Sequence, residues 1–214
     1  MADIKTQSFN ARRAMLFGWK ITPMNRVILM RSAPHTHNEA QFSGRYGHVS
    51  CSATLADGAN SVRMKFNTYT HLAMRWDTNI IPMTDEQEDR AWIEACRMAD
   101  LPVNWMNDSF NDMYYYRDRK NEPMDNSKLI YKGPNAIPYD KIGQICHLLP
   151  LKIWKPSTKR TWCTKTTCSI LYAGRPDFLE WLSEYIDIDE LLPSELDYML
   201  RYFLKEIENG SKKR

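Results

Sequence analysis

Apolar and polar residues alternate with a period of two in the first part of this chain and with helical periods later on. Between Asn25 and Met83 the runs "NRVILMRS", "THNEAQFS", "GHVSCSATL", "SVRMKFN" and "WDTNIIPM" read as short strands. The Gly, Asn and Asp residues between them, as in "ADGAN", favour tight turns, so the pattern predicts an antiparallel meander. At Thr84 the period changes. Thr84 is placed to cap a helix, Gln87 completes a capping box, and Ala91, Ala95, Cys96 and Ala99 form an inner stripe to about Asp100.

From Leu101 to Pro138 no period holds, and this polar, aromatic stretch with "MYYYRDRK" inside it reads as a long insertion or lid. Helical spacing returns in "YDKIGQICHLL". It recurs in "TWCTKTTCSILYAG", which Gly174 closes, and in "SELDYMLRYFLKEIENG", where Leu196, Met199, Leu200, Phe203, Leu204 and Ile207 share a face behind a Ser194 cap. This divides the chain into an N-terminal arm (1–24), a core domain (25–174) with an insertion at about 101–138, and a helical extension (175–214). The fold class is α+β.

Composition narrows the function. A chain of 214 residues with near-average apolar and charged content and 8 glycines is long enough to bury one good core. Its net charge of +3 is small, and its basic residues are dispersed apart from "KPSTKR" and "SKKR", which argues against a nucleic-acid surface. No apolar run is long enough for a membrane span or signal peptide, which predicts a soluble protein made in a cytosol. The 5 cysteines are odd in number and never spaced C-x-x-C, so they read as reduced thiols.

The candidate chemistry centres on "APHTHNEAQFS", where His35, His37 and Glu39 alternate. In an extended strand they share a face. One reading is a metal site, with a third ligand from His48, His71 or His147, none of which has a diagnostic spacing. The other is a cysteine nucleophile. Cys163 falls in the first turn of its helix, where the aligned amides favour a thiolate; His37 then serves as base and Glu39 as the orienting group, with His48 and Ser50 as rival third members. Cys168 projects from a different face of the helix.

The order of these stretches, "THNEAQFS", "SCSATLADGANSVRMK", "RWDTNIIPMTDEQED", "YDKIGQI" and "TWCTKTTCSIL", resembles the circularly permuted papain-like superfamily of NlpC-type cysteine amidases and peptidases, most of all its bacteriophage-encoded members. The resemblance covers about Ile28 to Leu171. It implies a permuted papain-like domain, an antiparallel sheet packed against a nucleophile-bearing helix, with Cys163 as nucleophile, His37 as the family histidine and Glu39 as its following acid. It implies a thiol hydrolase acting on an amide or peptide bond, with a peptide or peptidoglycan-like substrate and no cofactor or metal. It also implies residence in the host cytoplasm and in the virion. Thr164 and Lys165 depart from the Ser-Glu that follows the family cysteine. That departure opens a second expectation, a virion or assembly component that keeps a catalytically degenerate papain-like fold as a docking module for other virion proteins.

Overall fold

The computed structural model describes residues 2–16, 18, 20, 23–46, 49–55, 60–66, 76–106, 130–148 and 159–211. In chain order these form β1 (Ala2–Asn10), α1 (Ala11–Leu16), α2 (Pro23–Arg31), β2 (His35–Phe42), β3 (Val49–Thr54), β4 (Ser61–Phe66), β5 (Trp76–Met83) and α3 (Asp85–Ala99). After them come β6 (Ile130–Tyr131), α4 (Lys141–Leu148), α5 (Cys163–Gly174), α6 (Pro176–Ser183), a 3-10 turn (Ile188–Glu190) and α7 (Pro193–Ser211). The strands make one six-stranded antiparallel sheet in the order β5-β1-β2-β3-β4-β6. The α+β class and the antiparallel meander from β2 to β4 agree with the sequence pattern.

Two expectations give way. Residues 2–10 are not an arm but an inner strand, paired on one side with β2 and on the other with β5. Its alternation was hard to read because the buried face continues from Ile4 into Thr6 and Ser8, which are polar yet fully covered. "NRVILMRS" lies in helix α2 instead of a strand: Pro23 opens it, Ile28 packs on Leu192, and Met30 points to solvent.

One face of the sheet builds the core. Ile4, Phe42, Val49, Cys51, Met64, Phe66 and Ile81 pack against Trp92, Ala95 and Cys96 of α3 and against Cys168, Ile170 and Leu171 of α5. Phe42 meets Trp92 edge-on at 5.1 Å, and Tyr46 stacks on the same indole at 4.3 Å. Phe178, Leu182, Leu196, Leu200 and Phe203 of the last helices join this same cluster, so the extension shares the core with the sheet. The predicted capping box at α3 is formed: the Gln87 N–H donates to the Thr84 hydroxyl and the Thr84 N–H donates to Gln87 Oε1. Most of the insertion, 107–129, lies outside the described residues, but its return supplies β6, which pairs with β4. No helix among the described residues is long and apolar enough to cross a membrane.

Two outcomes follow for stability. Deleting residues 2–10 should abolish cooperative unfolding, measured by circular dichroism on heating, whereas loss of an arm would leave the melt intact. Thr84→Ala should cost about 1 kcal/mol in urea unfolding, the usual worth of a helix N-cap.

Candidate functional site

The alternating residues of "HTHNE" do not end up on one face. Along β1 the partners advance by one residue, from Phe9 to Asn10, while along β2 they advance by two, from His37 to His35. Thr36 is therefore the extra residue of a β-bulge, and the bulge re-aims His35. His35 is buried on the core side, with Nε2 at 2.7 Å from Asp77 Oδ2 and Nδ1 at 3.2 Å from Ser194 Oγ. Ser194 in turn donates its hydroxyl to the Ser32 carbonyl and accepts from the His35 backbone N–H. Burial works against the Asp77 carboxylate, but hydrogen bonds from His35, Asn10 and Arg13 together hold it below the usual carboxylate range. This group ties β2, β5 and the start of α7 to one another. Because its ring is committed there, His35 cannot share a ligand with His37.

Asn38 is the side chain that β2 turns toward the cysteine helix. Its carbonyl accepts from the Thr164 hydroxyl at 2.9 Å, and its amide donates to Ser8 Oγ at 2.8 Å and to the Pro193 carbonyl at 3.2 Å. Cys163 sits at the first position of α5, as the sequence predicts, and is buried. Pairing between β2 and β3 runs only from Ala40 to Phe42, and beyond its end the thiol meets the backbone N–H of Asn38. Burial pushes the thiol pKa up. Hydrogen bonds from the Asn38 backbone, from the hydroxyl and backbone of Thr164 and from the thiol's own backbone N–H offset that only in part. Tyr139 lies beside it, its hydroxyl donating to Gln144 at 2.5 Å. Lys165 donates to Asp189 at 2.5 Å and lies over the Trp162 ring.

His37 and Glu39 leave the opposite face of the sheet. His37 packs against Trp76 beside Phe9, and Glu39 lies in register with Gln7. On this face Ser50 hydrogen-bonds Glu39, and Arg63 and Lys65 supply positive charge. Burial first, then the charge of Arg63, lowers the His37 imidazole to about 3. For Glu39 burial raises the carboxyl pKa despite the opposing pull of Arg63, Lys65 and Ser50. The expected triad draws its members from different surroundings. The β2 side chain that faces α5 is Asn38, bonded to Thr164, while His37 and Glu39 leave the other face, as the alternation of strand side chains requires. Ser50, the rival third member, shares the face of Glu39, not that of Cys163. His48 and His71, and the side chain of His147, lie outside the described residues. Among the described residues no three His, Cys, Asp or Glu side chains converge as metal ligands would.

Proton transfer within the expected pair is unfavourable. A thiol held above its ordinary pKa would have to donate to an imidazole whose conjugate acid is at about 3. The groups that sequence reasoning missed are Asn38, Asp77 and Ser194. The one available signal was that Asn38 sits between the two singled-out residues and so, on any strand, must face the other way.

The His37 shift has a pH consequence. With a folded value of about 3 against 6.5 for an ordinary histidine, the unfolded chain takes up this proton first as pH falls. The contribution to stability is complete above pH 6.5 and declines as pH drops toward 3, by up to about 1 kcal/mol per pH unit. Glu39 has the opposite sign, since a raised carboxyl gains its proton in the folded state and returns stability on acidification. The measurement is therefore a difference: urea midpoints of wild type minus His37→Asn, from about pH 7 to about pH 4, should fall steadily.

The chain matches no protein-family model, and no curated protein or solved structure is found to be similar to it.

Proposed function

We propose that this chain works by docking, as a protein component of a larger assembly, and not as a thiol hydrolase. The observation that carries the reading is Asn38: the β2 side chain that meets the Cys163 helix is a carboxamide, fully used in holding Ser8, Thr164 and Pro193. A carboxamide cannot take a thiol proton, and the two histidines with described side chains are directed elsewhere. In fold terms the proposal retains a permuted papain-like arrangement. A cysteine at the opening of a helix packed over an antiparallel strand, with that strand earlier in the chain, supports it. If the chain is of phage origin, as the sequence resemblance implies, the assembly is a virion.

Aromatic side chains on the C-terminal helices supply contact residues for such a role. Tyr185, Tyr198 and Tyr202 are exposed, and Trp181 packs between Tyr185 at 5.0 Å and Tyr202 at 5.9 Å. Tyr and Trp are enriched among the residues that dominate binding energy at protein interfaces.

The test is thiol chemistry on the folded protein. Cys163 should resist iodoacetamide at neutral pH, become reactive only in denaturant, and show no response to His37→Ala, as read by peptide mapping. Ready alkylation of Cys163 in the folded state below the free-thiol pKa of about 8.5 would overturn the proposal, and slowing by His37→Ala would identify His37 as the base.

A further inference from the structure

The charge pattern of the last helices departs from that of the chain. Overall the protein carries +3, yet no Lys or Arg lies between Arg175 and Arg201, while eight Asp and Glu do. Five of these acids are used internally, among them Asp187, whose carboxylate accepts from the Asp189 N–H at 2.9 Å and caps the 3-10 turn. Asp177 pairs with Arg175, Asp189 with Lys165 and Asp197 with Arg201, and Glu195 accepts from the Leu192 N–H. Glu180, Glu184, Asp187 and Glu190 are exposed, and none forms an ion pair with a described residue.

Two of the acids without an ion-pair partner among the described residues, Glu180 and Asp187, line a continuous shallow trough between α5, α6 and the 3-10 turn. The trough consists of adjoining hollows of about 640 and about 390 Å³ that share Ser183 and Ile188. Its apolar surface comes from Leu179, Ile186 and Ile188, and Tyr172, 56% exposed, stands at one side. Among the described residues the one cation lining it, Lys165, is already paired with Asp189.

We infer that this trough docks a basic segment of a partner protein, in which Lys or Arg alternates with aliphatic residues. The inference rests on the docking role proposed above and names its partner chemistry. Aliphatic side chains would bury the floor formed by Leu179, Ile186 and Ile188, while the partner's cations would face Glu180 and Asp187. Tyr172 adds an open ring face for a guanidinium. Nucleic acid or an anionic membrane would meet uncompensated carboxylates here, so both are disfavoured by the same charges.

The experiment uses the full chain and two fluorescently labelled peptides of roughly ten residues. In one, Leu alternates with Lys and Arg; in the other, Glu replaces every basic residue. By anisotropy the basic peptide should bind, weaken as salt rises from about 50 to about 500 mM, and lose about tenfold in affinity with the double variant Glu180→Lys, Asp187→Lys. Both residues are exposed, and a thermal melt checks that the double variant folds. Tyr172→Ala should weaken Arg-bearing peptides more than Lys-only ones, and Glu86→Lys, on the exposed first turn of α3, should leave binding unchanged. Equal binding of the two peptides overturns the inference. So does basic-peptide binding that ignores the Glu180 and Asp187 reversals, or no binding up to about 1 mM. These failures leave the docking proposal standing, because that proposal is decided separately by the reactivity of Cys163.

Discussion

Everything about the candidate site depends on which side of β2 receives the helix that begins at Cys163. Side chains of an extended strand leave alternate faces, so a helix packed on Asn38 cannot also be served by His37 and Glu39. The choice of face is held by a buried polar chain: Ser8 of β1, Asn38 of β2, Thr164 of α5 and the Pro193 carbonyl before α7. These groups are all covered, and an unmade hydrogen bond among them would cost about 1–3 kcal/mol. The network therefore fixes sheet, cysteine helix and C-terminal helix against one another. It also commits the β2 side chain that faces the start of the cysteine helix.

The same constraint explains how far the sequence could be read. Helix α3 was fully legible, because Thr84 and Gln87 mark its start and Ala91, Ala95, Cys96 and Ala99 all lie on its buried face. The apolar stripes of α5 and α7 and the strands from β2 to β5 were legible too, but α7 opens at Pro193, and Ser194, expected as its cap, instead binds Ser32 and His35. β1 was not, since it buries Thr6 and Ser8 where a period-two pattern looks for apolar residues. α2 was misread because three consecutive aliphatic residues favour a strand, whereas its position is decided by Ile28 packing on Leu192, a contact far away in sequence.

For the site, local geometry was legible and global orientation was not. That Cys163 opens a helix, and that His37 and Glu39 share a face, both follow from spacing. Which face of the sheet a later helix covers does not follow from spacing, because it is set by long-range packing. The Thr36 bulge is a further case. Nothing in "PHTHNE" announces an extra residue, yet it sends His35 to Asp77 and Ser194 and so removes the apparent H-x-H pair. A motif read from alternation is only as good as the register of the strand that carries it.

Lys165 links the cysteine helix to the acidic surface. The lysine packs on Trp162 and holds Asp189 of the 3-10 turn. That contact pins the turn against α5 and forms one wall of the trough beside Leu179 and Ile188. Neutralising Lys165 with Asp189 leaves Glu180 and Asp187 as the charges that a partner would meet. The position after Thr164 thus holds the 3-10 turn against the cysteine helix.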